Sequence, residues 1–312
     1  MSILSKKPFL SICIPTYNRA NFLAQCLHSI MIQLRKDRSL FKQVEIIISD
    51  NNSLDKTANL VKRYQKQNKA VRYYRNKKNI GADRNIIKSA SYAKGDFIWF
   101  FSDDDVQMPY SLKILLQILQ QEKPDASLCN LELCSKDLST VLNKNLLKID
   151  RDIILRTKKE LFGFLESKFF LPIDWYTTCL SNTIISKHLF QQNLSSVMKL
   201  YDSSQNAFLH SGFIYYNRSN DKIYIISKPL VKFRADNRSF GPDEKNDKLN
   251  YLIYIHRVFR DHNHTIYKIN SKYMSLRFKV LLFLKDFFRS FRITLLKYFH
   301  FDVERLAINF FR

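Results

Sequence analysis

Apolar runs alternate with amphipathic stretches through the first third of the chain. Residues 9–15 (FLSICIP) and 44–49 (VEIIIS) are nearly continuous apolar runs, the pattern of strands buried on both faces. Between them Leu23, Cys26, Leu27, Ile30, Met31 and Leu34 recur at helical spacing, which predicts a helix with one apolar face. A third strand is predicted over residues 71–76 (VRYYRN) and a fourth over 96–101 (DFIWFF), separated by a helix in NIGADRNIIKSASYA that Gly81 opens. Ser53 is expected to cap another helix, from Leu54 to about Tyr64. Strands alternating with helices predict an α/β fold, a mostly parallel central sheet flanked by helices.

After Pro109 the pattern predicts a helix from Tyr110 to Gln121, a strand in DASLCNLEL, and a less regular stretch to about Phe170. TCLSNTIIS and KIYIISKPLVKFR read as strands around a helix near His210. The last sixty residues turn basic, aromatic and helical, with a boundary expected near Gly241 and Pro242. Three segments result: 1–108, 109–240 and 241–312.

In parallel sheets, ligands bind in the crevice beyond the carboxyl ends of the strands. Polar residues stand at each of those ends here: Pro15 to Asn18, Ser49 to Asn51, Asn76 to Gly81, and Ser102 to Asp105. One edge therefore gathers Asp50, Asp103, Asp104 and Asp105, the last three one serine after the apolar run FIWFF. Adjacent carboxylates repel unless a cation is shared among them. Hard divalent ions such as Mg²⁺ take one or two protein carboxylates and fill other positions with phosphate oxygens. The cluster thus suits a metal seat for a diphosphate, against the plainer alternative of acidic residues favouring a helix N-terminus. No GxGxxG follows the first strand and no GxxxxGK[ST] occurs, so a nucleotide is held by other means.

Composition narrows the class. With 312 residues, 46% of them hydrophobic and 14% aromatic, the chain has ample material for a core, which excludes global disorder. Five glycines and seven prolines argue against collagen-like or linker-rich architecture. The five cysteines lack a CxxC pair, as expected for buried thiols in a reducing cytosol with no thiolate metal site. Neither a signal-peptide pattern nor a run of roughly 18 to 20 uncharged apolar residues is present, so a soluble or peripheral protein is expected. A net charge of +23 calls for an anionic partner: nucleic acid, a phosphate-bearing substrate or an acidic membrane leaflet.

SICIPTYNRANFLAQCLHSI, VEIIISDNNSLDKT, NIGADRN and FFSDDDVQMP, in that order, resemble family 2 glycosyltransferases, inverting enzymes of the GT-A fold that use sugar nucleotides. ISKPLVKFRADNRSF is similar to that family's closing strand and arginine segment. SDDD together with FLHSGF looks most like the subgroup of the abequosyltransferases of O-antigen synthesis. The resemblance implies that residues 1–108 bind the nucleotide sugar and 109–240 the acceptor. It places Pro15, Thr16, Tyr17 and Asn18 around the base and ribose, Asp50 as acceptor from the base, with Asn51 beside it, Gly81 where the backbone approaches the nucleotide, and Arg84 and Asn85 on the following helix. Asp103 and Asp104 match ribose and metal positions of the DxD motif, Asp104 being the first choice of ligand for Mg²⁺ or Mn²⁺, with Asp103 and Asp105 also candidates. Ser102 falls where the commoner DxDD pattern has its first Asp, so the division of labour among Ser102, Asp103 and Asp105 is open.

Inverting transfer needs a general base on the acceptor hydroxyl. In relatives an acidic residue at a helix start supplies it; here that position falls on or near His210, with Asp174 and Asp202 as competitors. Histidine titrates near neutral pH and suits the task, although a lone histidine among aromatics also fits a structural part. Arg234 is expected to reach the diphosphate or else to end a strand at the surface. From Lys268 to Arg312, ten Lys or Arg stand against three acids, with eleven Phe or Tyr. Lys285, Arg289 and Arg292 share one helical face, and Val280, Phe283, Phe287 and Phe291 another. Such a segment either lies on an anionic membrane or packs its apolar face on the domain. The expected enzyme is a peripheral one on the cytoplasmic face of the inner membrane, acting on a lipid-linked saccharide in O-antigen or other surface-polysaccharide synthesis, with no nucleic-acid partner. The competing readings are a nucleotidyltransferase, which usually wants a glycine-rich phosphate loop, a nucleotide-sugar-binding protein without transferase activity, and an RNA-binding module, for which no RNP-like or KH-like motif appears.

Overall fold

Four parallel strands form the first half of the sheet: β1 (Leu10–Thr16), β2 (Val44–Asp50), β3 (Val71–Arg75) and β4 (Phe97–Phe100), side by side in the order β3-β2-β1-β4. Their side chains alternate between two cores. Ile12, Ile14, Ile46, Ile48 and Trp99 bury on one face, and Cys13, Ile47, Ile98 and Phe100 on the other. Burial on both faces is why β1, β2 and β4 read as nearly unbroken apolar runs. Helices α1 (Ala20–Lys36) and α2 (Thr57–Gln67) cover the first face, while α3 (Ala82–Ser91) covers the second through Ile87 and Ala90. This computed structural model describes residues 7–168, 177–201, 208–216, 221–235, 248–280, 282–284, 286 and 290.

The second half makes the sheet mixed. Short β5 (Val106–Gln107) leads into α4 (Ser111–Glu122) and then β6 (Ala126–Cys134). The stretch expected to be irregular contains β7 (Val141–Asn143), β8 (Ile153–Leu155) and α5 (Lys158–Ser167). β9 (Thr183–Ser186) runs antiparallel between β4 and β6 and so joins the two halves. After α6 (Lys187–Tyr201) and α7 (Leu209–Tyr215), β10 (Ile223–Arg234) pairs in parallel with β6 and antiparallel with β5 and β8. α8 (Lys248–Asn270) and a helical stretch from 276 follow. The expected boundary at Gly241 and Pro242 lies outside the described residues.

One local expectation is corrected. Ser53 does not cap α2, which starts three residues later than expected; its hydroxyl instead accepts from the Asn18 N–H at 2.9 Å. Asp55 takes the Thr57 N–H at 3.0 Å in its place. All five cysteines are free and buried, as small hydrophobes are. Among the described residues no helix is long and apolar enough to cross a membrane.

The amino end of β1 rests on a buried polar knot. Ser11 donates to Glu45 at 2.7 Å, Arg72 pairs with Glu45 at 2.7 Å, and the Gly95 N–H donates to the Ser11 hydroxyl at 2.8 Å. A methyl group on Gly95 would stand 2.7 Å from the Ser11 hydroxyl oxygen and 2.8 Å from the Ser11 backbone nitrogen, closer than packed atoms tolerate. Gly95→Ala is therefore expected to cost about 1–3 kcal/mol, read as a lower midpoint in urea unfolding with an unchanged slope.

Candidate active site

β1 delivers Pro15 and Thr16 to the carboxyl edge, and the chain turns there at Asn18, whose φ of 53° is left-handed. The Asn18 side-chain oxygen accepts from the Leu54 N–H at 2.7 Å, and the Asn51 N–H donates to the Thr16 carbonyl at 2.9 Å. These bonds fasten the PTYN turn to the loop after β2 and leave the Tyr17 ring 42% exposed over it.

Several residues expected to touch the nucleotide are instead buried in the framework of this edge. Asp50 is 0% exposed and accepts from the Ser53 N–H at 2.8 Å and from the Tyr73 hydroxyl, with the Arg75 guanidinium 3.9 Å away. Burial and the bond to Asp50 push the Tyr73 phenol up. Asn51 donates to Asn79 at 2.7 Å and accepts from Asn76 at 3.0 Å and the Ile80 N–H at 2.9 Å. Asn85, 2% exposed, accepts from Ser49 at 2.7 Å and Asn76 at 3.0 Å and donates to the Ser49 carbonyl at 2.8 Å. An asparagine suits such a junction because it donates and accepts at once. This web fixes the loop before α3, where Gly81 has φ +86° with open space around it and Arg84 is exposed. Asn76 and Asn79 appeared in the sequence only as part of the polar end of the third strand, with no role of their own.

The acidic run after β4 separates into two environments. Asp103 accepts from the Thr16 hydroxyl at 2.7 Å and from Arg19 Nη1 at 3.1 Å. Asp104 accepts from Arg19 Nη2 at 2.8 Å and from the Ser102 hydroxyl. One guanidinium therefore spans both carboxylates. Asp105, 1% exposed, accepts from the Ser181 hydroxyl and from the Arg234 N–H at 3.1 Å. Burial pushes the Asp103 carboxyl up to about 7 against the pull of Arg19, and Asp104 adds to the rise. Burial first and the Asp104 charge second push Asp105 well above the usual carboxylate range.

A divalent ion fits this donor set at Asp103 and Asp104. Their hard oxygens already share one cationic group, and two carboxylates leave positions for phosphate oxygens. Asp105 is bonded to the Ser181 hydroxyl and the Arg234 backbone N–H and not to Arg19, which separates it from that pair. Among the described residues, no three or more His, Cys, Asp and Glu converge to hold a metal ion by themselves.

Arg234 is only 4% exposed and does not end its strand at the surface. Its Nε donates to the Asp104 carbonyl at 2.8 Å, Nη2 to Gln25 at 2.9 Å, and Nη1 to the Lys136 carbonyl. Arg19 and Arg234 each lie 5.0 Å from the Phe22 ring centre. Arg234 thus holds the acidic loop in place from β10. Arg19, Phe22, Gln25 and Ser181 were all missed by the sequence reading. Arg19 lay within a motif that was noticed, whereas Ser181 carried no local signal.

His210 is corrected as a candidate base. It is 2% exposed, on the buried side of α7, with ring centres 6.2 Å from Phe100 and 6.4 Å from Phe208. Burial, with a smaller contribution from His262, lowers its pKa to about 3, offset in part by the Thr178 backbone. The structure therefore places this ring, the expected base, among the aromatic residues of the core. Asp174 and Asp202 lie outside the described residues.

Residues 11–193 match the family described as Glycosyl transferase family 2. The chain is 32% identical to abequosyltransferase RfbV of Salmonella typhimurium over 78% of its length and 71% of that protein. It is 35% identical to the GalNAc(5)-diNAcBac-PP-undecaprenol beta-1,3-glucosyltransferase of Campylobacter jejuni over 35% of this chain and 34% of that one. Among solved structures, S. aureus TarS superposes with a TM-score of 0.61 at 16% identity, covering 93% of this chain and 75% of that one. PcManGT from Pyrobaculum calidifontis, solved with GDP-Man and Mn²⁺, gives 0.55 at 12% identity, covering 90% and 70%. The fold is thus the α/β arrangement of these transferases.

A pH dependence is built in where α3 meets α7. Asp83, in the first turn of α3, accepts from the Leu209 N–H at 3.2 Å, and burial raises its carboxyl to about 6 against the bonds from Leu209 and Phe208. A raised carboxyl contributes stability that is full below its unfolded value, about 3.9, and is lost as pH rises through about 6. Asp83→Asn should flatten the stability profile between pH 4 and 7 by on the order of 1 kcal/mol relative to the parent, measured by urea unfolding at several pH values.

Proposed function

The chain belongs to glycosyl transferase family 2 and is a nucleotide-sugar glycosyltransferase of the EC 2.4 type; from that premise we propose that it transfers its sugar with inversion to a lipid-linked saccharide, in O-antigen or related surface-polysaccharide synthesis. The observation that carries the site assignment is the Asp103 and Asp104 pair at the end of β4, bridged by Arg19 at 3.1 and 2.8 Å. The abequosyltransferase relative supports O-antigen chemistry, and the relative named for a PP-undecaprenol substrate supports a lipid-linked acceptor. TarS has been solved with UDP and with UDP-GlcNAc, and PcManGT with GDP-Man and Mn²⁺, which supports a nucleotide-sugar donor and a divalent ion.

In this reading Asp104, with Asp103, would hold Mg²⁺ or Mn²⁺, which would supply positive charge to offset that of a nucleoside diphosphate. Pro15, Thr16, Tyr17 and Asn18 shape the nucleotide pocket, with Tyr17 offering an exposed ring to the base or ribose. Asp50, Asn51 and Asn85 keep its floor rigid from within, and Gly81 and Arg84 border it. Arg234 positions the acidic loop and does not itself bind phosphate. Asp174 or Asp202 takes the proton of the acceptor hydroxyl. The enzyme works as a peripheral protein on the cytoplasmic face of the inner membrane, where such an acceptor is anchored.

Thermal-shift titration of sugar nucleotides is expected to raise the melting temperature with Mn²⁺ present and far less without it. Asp104→Asn should abolish the Mn²⁺-dependent part of the shift and lower turnover about 100-fold or more; parental behaviour on both counts would remove Asp104 from the metal site. For the base, Asp174→Asn and Asp202→Asn are compared for turnover with donor binding checked. One of them should lose about 100-fold in kcat with donor binding intact, while His210→Ala is expected to act through stability.

A further inference from the structure

The helix that starts at residue 276 has two apolar faces, and among the described residues only one of them is buried. Phe278 and Leu282, one turn apart, are buried at 2% and 6% in a niche formed by Phe162, Leu165, Tyr215 and Ile266. Ser275 donates to Glu166 at 2.7 Å and Asn263 donates to Asp286 at 3.1 Å, so both ends of this stretch are tied to the body of the protein. On the opposite side Leu276, Val280, Phe283 and Leu284 follow each other at helical spacing and are 77%, 47%, 68% and 37% exposed. The sequence pattern offered Val280 and Phe283 as a face that either packs on the domain or meets a membrane. Packing falls to Phe278 and Leu282 instead, which leaves Val280 and Phe283 pointing at solvent.

We infer that this stripe of Leu276, Val280, Phe283 and Leu284 is the part of the protein that enters the headgroup region of an anionic bilayer. The charge around it selects that occupant. Arg277 and Lys279 flank the stripe on its two sides, and Lys272 is exposed just before it. A chain of net charge +23 repels a second copy of itself, while anionic lipid attracts it, each cation near the surface contributing on the order of 1 kcal/mol. A nucleic acid would meet the cations but leave the largely aliphatic stripe of Leu276, Val280 and Leu284 in water. A bilayer interface satisfies both, with apolar side chains below the headgroups and cations at their level. The inference rests on the peripheral location proposed above and assigns the contact to one face of one helix. Phe287, Phe291, Lys285, Arg289 and Arg292, expected to share in it, lie outside the described residues.

The test uses the full chain with sonicated vesicles of phosphatidylcholine alone and of phosphatidylcholine with phosphatidylglycerol, read by cosedimentation at low and high salt. The parent is expected to bind the anionic vesicles, more weakly as salt rises, and to ignore the neutral ones. The double variant Leu276→Asp with Phe283→Asp should lower partitioning at least about tenfold while keeping its nucleotide-sugar thermal shift. Should it not fold, the charge variant Arg277→Gln with Lys279→Gln should bind more weakly and with a shallower salt dependence. Parental binding by a folded variant, or a parent that ignores anionic vesicles, overturns the inference. So does a concentration-dependent dimer of the parent that the double variant abolishes without any vesicle binding. A chain that binds vesicles through this face yet transfers no sugar to a lipid-linked saccharide would sink the proposed acceptor and leave this contact standing.

Discussion

The site depends on keeping three consecutive carboxylates at the end of a strand whose side chains are wholly buried. Asp103, Asp104 and Asp105 follow Phe97–Phe101 with exposures of 4%, 8% and 1%. Low-dielectric surroundings raise the cost of each charge and of each repulsion. The fold answers with one guanidinium group, three hydroxyls and a backbone N–H. Arg19 spans the first two carboxylates, Thr16 and Ser102 take their remaining oxygens, and Ser181 with the Arg234 backbone N–H takes the third. The pair left facing Arg19 is electrostatically suited to a divalent ion; the third serves as an anchor.

That anchoring explains why the two halves of the sheet must be built together. Ser181 precedes β9 and Arg234 ends β10, both far from the acidic run in sequence. β9 lies against β4 in antiparallel register, which brings Ser181 under the loop, and the β10–β5 pairing brings Arg234 to it from the other side. The acidic edge of the first half is thus held by contacts made by the second. A displaced β10 would release the Asp104 carbonyl and the Asp105 carboxylate at once.

The same economy of placement recurs in the polar residues of the second and third strand ends. Asp50, Asn51 and Asn85 look like ligand-binding groups because they stand at the carboxyl edge. Their hydrogen-bonding capacity is spent on Ser53, Tyr73, Asn76, Asn79 and Ser49. A buried polar group left unpaired is costly, so such residues fix loop shape as firmly as a core residue fixes packing. The exposed contacts around the site, Tyr17 and Arg84, stand on loops whose shape this network sets.

Local pattern sufficed for much of this protein. Apolar runs specified β1, β2 and β4 because burial on both faces leaves no polar positions, and helical periodicity specified α1 because only one face is buried. The acidic run, the PTYN turn and Gly81 were legible as motifs since each depends on residues adjacent in the chain. Tertiary structure alone decided which acids share Arg19 and which is held by Ser181 and the Arg234 backbone, since Ser181 and Arg234 arrive from distant strands. It also turned His210 into a core residue and gave Phe278, not Val280, to the interior of the protein. Periodicity shows that a side chain lies on an apolar face; what that face meets is set by the elements packed against it.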